Sequence, residues 1–217
     1  MIRNYDKEKI VFDALSSLIP NAKSELEYSN EFELLIAVML SAQCTDKRVN
    51  IITRELFKHF KTPEDFARLT VEELEKYIKS CNYYHNKAKN IILASRQIVE
   101  KFNGKVPSEH VDLVSLAGVG NKTANVIEVV CFGKQSLPVD THCLRVSNRL
   151  GYVNTKNPNI CEKRLKEIFK DYSMDKLHHL LVLFGRYYCT ARNPKCDGCV
   201  LENVCEYLRH KENKNVS

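Results

Sequence analysis

The chain has 217 residues, 33 of them basic and 27 acidic, which gives a net charge of +6 and a pI near 8.8. It is long enough to bury its own core as one large domain or two small ones, and its charge favours a polyanionic partner while falling short of a strongly basic nucleic-acid domain. The longest apolar run, Leu34 to Leu40, cannot span a bilayer, and the N-terminal MIRNYDKEK lacks the apolar stretch of a secretory signal, so the expectation is a soluble, intracellular, cytoplasmic protein with no membrane partner.

Strand signals are nearly absent, and the apolar periodicity predicts an all-α fold with helices over 7–19, 31–41, 47–60, 71–80, 86–102, 108–116, 121–132, 141–150, 161–169 and 174–188. The stretch LLIAVML is apolar on every side and predicts a central helix, whereas VEELEKYIKS is amphipathic and belongs on the outside. Start signals punctuate the series: Thr62-Pro63 and Asn157-Pro158 pair a cap with proline, and Thr70 to Glu73 fits a capping box. The polar tail HKENKNVS at 210–217 is expected to fray.

Between the sixth and seventh predicted helices lies Leu116-Ala117-Gly118-Val119-Gly120, followed directly by Asn121-Lys122-Thr123-Ala124. Two glycines two apart allow a tight turn and leave amides uncovered. Together with the unpaired N–H groups of the next helix, they suit a phosphate oxygen. The same residues also suit an ordinary helix connection. Farther on, Asp140 in Pro138-Val139-Asp140-Thr141-His142 is placed to cap the next helix.

Four of nine cysteines, Cys189, Cys196, Cys199 and Cys205, fall within 17 residues as C-x6-C-x2-C-x5-C. Such a set holds a tetrahedral zinc or an iron–sulfur cluster, and ligand type alone does not separate the two. A disulfide pair is disfavoured because Cys44, Cys81, Cys131, Cys143 and Cys161 are scattered singly, as reduced thiols are.

LAGVGNKTAN, PVDTH, the four-cysteine ending and LSAQCTD at Leu40 to Asp46, in that family's order along the chain, together resemble the endonuclease III family of DNA glycosylases. The resemblance implies a helix-hairpin-helix fold of two helical domains, a six-helix barrel over 22–133 and an iron–sulfur domain joining 1–21 with 134–217, with the DNA groove between them. It selects a [4Fe–4S] cluster over zinc. It also implies a monomeric bifunctional glycosylase and abasic-site lyase that removes oxidised pyrimidines from double-stranded DNA and cleaves 3′ to the abasic site.

On that resemblance Lys122 is the nucleophile and Asp140 the carboxylate that supports it. An amine attacks only when uncharged, and the positive end of the helix dipole and desolvation under an extruded nucleotide both disfavour ammonium. A carboxylate stabilises positive charge growing on the sugar and shuttles protons. The chain can bring the two together: the hairpin helix spans ~18 Å at 1.5 Å per residue, and the residues up to Asp140 extend to ~26 Å.

The nucleotide must leave the stack, and side chains must fill the gap. Gln43 matches one such residue of the family, and Tyr83 stands where the family has a wedge leucine. DNA contacts are further expected from the backbone of Gly118, Val119 and Gly120, and from His142, Arg145, Arg192 and Lys195, with Arg149 and Arg186 as further candidates. Departures from the family pattern are Ala117 for proline, Asn121 for a basic residue and Phe184 for histidine. Two rival readings are an adenine-mismatch glycosylase, a family that lacks the hairpin lysine, and a non-catalytic helix-hairpin-helix DNA-binding protein, which needs neither Lys122 nor Asp140.

Overall fold

A computed structural model describes residues 4–209, so the tail predicted to fray lies outside them. In chain order the helices are α1 (Asn4–Leu18), α2 (Glu31–Ser41), α3 (Asp46–His59), α4 (Pro63–Arg68), α5 (Val71–Ile78), α6 (Tyr84–Phe102), α7 (His110–Ser115), α8 (Asn121–Phe132), α9 (Thr141–Leu150), α10 (Pro158–Ile168) and α11 (Met174–Tyr187). A 3-10 turn follows at Glu202–Val204, and no strand occurs among the described residues. None of their helices is long and apolar enough to cross a membrane.

The caps explain where the helices begin. Thr62 and Thr70 each accept a bond from the backbone N–H three residues on, and the side chains of Asp65 and Glu73 bond back to the cap N–H, so both form complete capping boxes. The first of these starts α4, a short helix for which periodicity gave no separate segment. Asn157 and Pro158 open α10 ahead of Cys161, where apolar spacing alone placed its start.

The chain divides into two compact units, Ser24–Lys134 and Met1–Lys23 with Gln135–Ser217. In the first, α2 is the axis: every residue from Phe32 to Leu40 is buried, and Leu34, Leu35, Ile36 and Leu40 are wholly inaccessible. At roughly 1.5–3 kcal/mol per large aliphatic side chain, this helix dominates the unit's stability. α3, α6 and α8 pack on it, while α4 and α5 lie on α6. α5 buries only Leu74 and Ile78, as its amphipathic pattern requires.

In the second unit α9 is held between α10 and α11, and α1 packs on α11. Gly185, buried in α11, permits that closeness: a β-carbon there would lie 2.9 Å from Cβ of His142 in α9. Three scattered cysteines are inert filling. Burial pushes the Cys131 thiol up to about 12 and raises those of Cys143 and Cys161 as well.

The second capping box offers a direct check on these boundaries. Thr70→Ala is expected to lower stability by about 1 kcal/mol in urea denaturation at pH 7. The Glu73 carboxyl lies below its usual range because the Thr70 N–H bonds its charged form. Stability drawn from the charged carboxylate is therefore present at neutral pH and lost as pH falls through that lowered value, and because the Thr70 hydroxyl adds to the lowering, the difference between the two proteins should shrink in acid.

Candidate functional site

The turn joining α7 to α8 is anchored from below. Leu116 and Val119 are buried in the core of their unit, and the Ala117 N–H donates to Oε1 of Gln97 on α6 at 2.8 Å. Gly118 takes φ +75°, and a β-carbon there would sit 2.7 Å from Cβ of Asn90, so this glycine is required both for its backbone and for its packing. Gly120 differs. Its φ of −93° suits any residue, and a β-carbon there would meet nothing within 4 Å. What Gly120 supplies is bareness, since it is the N-cap of α8 and no side chain caps that helix. The N–H groups opening α8 therefore face outward with the positive end of the helix behind them.

Val119 corrects part of the expected phosphate cradle. Its side chain is buried and its N–H donates to the Leu116 carbonyl at 3.1 Å, so it serves the turn. The amides left to an anion are those of Gly120 and the first turn of α8. Lys122 is exposed within that turn. Beside it Asn121, which replaces a basic residue, lies 3.1 Å from Nε2 of His110, whose Nδ1 is 2.8 Å from the buried Glu128 carboxylate. Asn121 thus ties α7 to α8.

In the same unit Gln43 and Tyr83 are brought together. Asn82 Nδ2 donates to the Gln43 carbonyl at 2.7 Å, and both Gln43 and Tyr83 are exposed, with φ of +54° and +58°. Non-glycine residues rarely adopt this backbone, which clusters at functional loops. Tyr83 keeps 64% of its surface exposed, so it is no part of the core.

In the other unit Asp140 is the N-cap of α9, where Oδ1 accepts the Cys143 N–H at 2.8 Å. The cap orients the carboxylate and engages one of its two oxygens. His142, half-buried, lies 3.2 Å from Arg145 Nη2.

Arg145, expected to face DNA, is turned inward: Nε donates to the Cys189 carbonyl at 3.1 Å and Nη2 to that of Gly185 at 2.7 Å. Arg149, one turn along the same face of α9, binds the Thr190 carbonyl at 2.8 Å, the Ala191 carbonyl at 3.1 Å and Sγ of Cys189 at 3.2 Å. The pair straps the cysteine loop from Cys189 onward. The i, i+4 spacing of Arg145 and Arg149 carried this signal, which isolated inspection of each arginine misses. Arg192 and Lys195 lie exposed on the same loop, Lys195 Nζ standing 5.4 Å above the Tyr188 ring.

Cys189, Cys196, Cys199 and Cys205 line one cavity with Val146, Leu150, Phe184 and Leu201. Among the described residues no three His, Cys, Asp or Glu side chains converge on a single-ion site. An all-sulfur donor set spread around an apolar cavity, with a guanidinium bonded to one sulfur, fits a multi-atom iron–sulfur group. Phe184, in place of the family's histidine, is an apolar wall of this cavity, with its ring stacked 5.9 Å from Tyr188.

Residues 36–171 match the HhH-GPD superfamily of base excision DNA repair proteins, and residues 189–205 match the iron–sulfur binding domain of endonuclease III. Endonuclease III of Bacillus subtilis (strain 168) is 42% identical over 98% of this chain and 98% of its own length. Two solved structures, a trapped covalent endonuclease III–DNA intermediate and a non-covalent endonuclease III–DNA complex, superpose with TM-scores of 0.89 and 0.90. Both are 40% identical and cover 98% of this chain and 100% of their own.

The two glycines separate by experiment. Gly118→Ala should destabilise by about 1–2 kcal/mol from the left-handed backbone alone, with the overlap on Asn90 adding to it. Gly120→Ser should change stability by only a few tenths of a kcal/mol. Its hydroxyl would take one of the N–H groups otherwise open to an anion, so affinity for a DNA duplex should fall by about tenfold, the loss of one charge-assisted bond, as measured by fluorescence anisotropy. For the cysteine loop, Arg149→Met should fold but release iron to a chelator about tenfold faster, followed by the bleaching of its visible absorption.

Proposed function

The chain belongs to the endonuclease III family, and from that premise we propose that Lys122 and Asp140 carry out its chemistry. The protein is a base excision repair DNA glycosylase with abasic-site lyase activity, a bifunctional enzyme acting on damaged double-stranded DNA. Its substrates are oxidised pyrimidines.

The observation that carries the assignment is the exposed Lys122 in the first turn of an uncapped helix, delivered there by the Gly118 turn. The bare N–H groups hold a phosphate, so the backbone of the bound strand and the amine are fixed by the same few residues. The Lys122 amine attacks C1′, its C–N bond forming as the bond to the base breaks. The departing base takes up a proton, and the opened sugar is left as an imine with Nζ. Loss of a C2′ proton then expels the 3′ phosphate by β-elimination, and water releases the enzyme. Asp140, oriented by its cap bond to Cys143, stabilises the cationic sugar and relays these protons through its carboxylate. A relative solved as a trapped covalent intermediate with DNA supports a route through a covalent bond.

Gln43 and Tyr83 fill the space vacated by the extruded nucleotide, and Arg192 and Lys195 meet phosphates. His142 lies half-buried beside Arg145 in the first turn of α9. The protein carries a [4Fe–4S] cluster, which we assign to Cys189, Cys196, Cys199 and Cys205. When bound, the cluster cross-links and orders the loop bearing Arg192 and Lys195, and base displacement by an amine requires no electron from it. We further infer that the enzyme works as a monomer on chromosomal DNA in the cytoplasm.

Borohydride trapping on a duplex with one thymine glycol tests the assignment. The wild-type protein should give a covalent adduct and Lys122→Gln none. Asp140→Asn, which keeps a capping oxygen, should slow base release by about 10²–10⁴-fold. An adduct persisting in Lys122→Gln would remove that residue from the mechanism.

A further inference from the structure

Lys87 is a buried ammonium with an unusual set of partners. Only 8% of the residue is exposed, and its three protons go to the Leu40 carbonyl at 2.7 Å, the Ala42 carbonyl at 2.7 Å and Sγ of Cys81 at 3.0 Å. Cys81 in turn donates to the Leu40 carbonyl at 3.2 Å. Lys87 lies in the first turn of α6, and its backbone N–H bonds the Tyr83 carbonyl at 3.1 Å. Its side chain therefore grips the end of α2 just before Gln43, while its backbone holds Tyr83.

Burying an ammonium among neutral acceptors costs desolvation that a methionine of similar length would avoid. Part of that cost is offset because α2 ends there with no basic residue of its own in its last turn, so the cation meets the negative end of the helix. The distinctive consequence lies in what the bonds join. Gln43 and Tyr83 both hold left-handed backbone, which persists only where neighbouring contacts over-determine it. Lys87 beneath and the Asn82–Gln43 bond above supply those contacts from both sides.

We propose that Lys87 is a positioning residue for base extrusion: its ammonium locks the Gln43 and Tyr83 tips into one rigid double wedge. This rests on the reading of those two side chains as gap-fillers. A locked wedge presents both side chains to the stack without having to order them during opening. The residue acts through the tips and touches neither the sugar nor the base.

The test uses full-length, cluster-loaded protein and two substrates under single-turnover conditions. One is a duplex with a thymine glycol flanked by 2-aminopurine, whose fluorescence reports unstacking. The other is a single strand carrying a preformed abasic site, where no stack has to be opened. Lys87→Met should slow base release from the duplex by roughly 10- to 100-fold and suppress the fluorescence change, with the single strand cleaved within about threefold of wild type. Asn82→Ala, which alters an exposed amide, should show the same split at about three- to tenfold.

Equal losses on both substrates, or no loss, would overturn the proposal. If Lys87→Met does not fold, Asn82→Ala decides by the same criterion. Gln43→Ala and Tyr83→Ala separate the two levels. A duplex-selective defect in them without one in Lys87→Met removes Lys87 from the step, and its absence in them removes the wedge reading itself.

Discussion

Everything in the hairpin unit serves one constraint: a helix N-terminus must be left bare while all that surrounds it is tied down. An uncapped first turn leaves N–H groups without intramolecular partners, a state most helices relieve with Ser, Thr, Asp or Asn. α2, α3, α4, α5, α9, α10 and α11 all do so. α6, α7 and α8 do not, and α8 alone of these opens on a glycine, its openness made tolerable by the rigid turn before it. Leu116 and Val119 sink into the core, Gly118 locks over Asn90, and His110 joins Asn121 to Glu128. The donors kept open in this way become an anion site, with an amine one residue beyond the start of the helix.

Cations in this chain divide into two populations, and net charge blurs them. Lys122, Arg192 and Lys195 are exposed. Lys87, Arg145 and Arg149 turn inward and bond backbone carbonyls, each strapping a functional loop to the helix that supports it. Carbonyl groups at helix ends and in loops suit such straps because they carry partial negative charge and have no helical partner of their own. A cation used in this way trades solvation for geometry, and the return is a loop that needs little ordering when DNA arrives.

The elements and the chemistry-bearing motifs were legible along the chain because they depend on neighbours in sequence. Capping pairs, proline at the first helical position, the evenly apolar α2 and the cysteine spacing are local facts. The double signal at Asn157-Pro158 outweighed apolar periodicity in setting the start of α10, since a cap acts on the backbone directly while periodicity only records burial. Less legible was the division of labour within Gly118-Val119-Gly120. One glycine is needed for φ and packing, the other for the absence of a side chain, and the valine between them for the core.

The amino-acid order by itself determined the all-helical class, the helix starts marked by a capping pair, the four-thiol set and the lysine placed just beyond a glycine turn, all through contacts a few residues apart. Tertiary structure decided where long side chains spend their charge. Lys87 reaches carbonyls more than forty positions away, and Arg145 and Arg149 reach a loop at similar remove. A flexible four-carbon or guanidinium arm has no preferred partner until the chain has folded. Only packing distinguishes an arginine that meets phosphate from one that holds a loop, or a tyrosine that lines a core from one that stands in solvent at the tip of a strained turn.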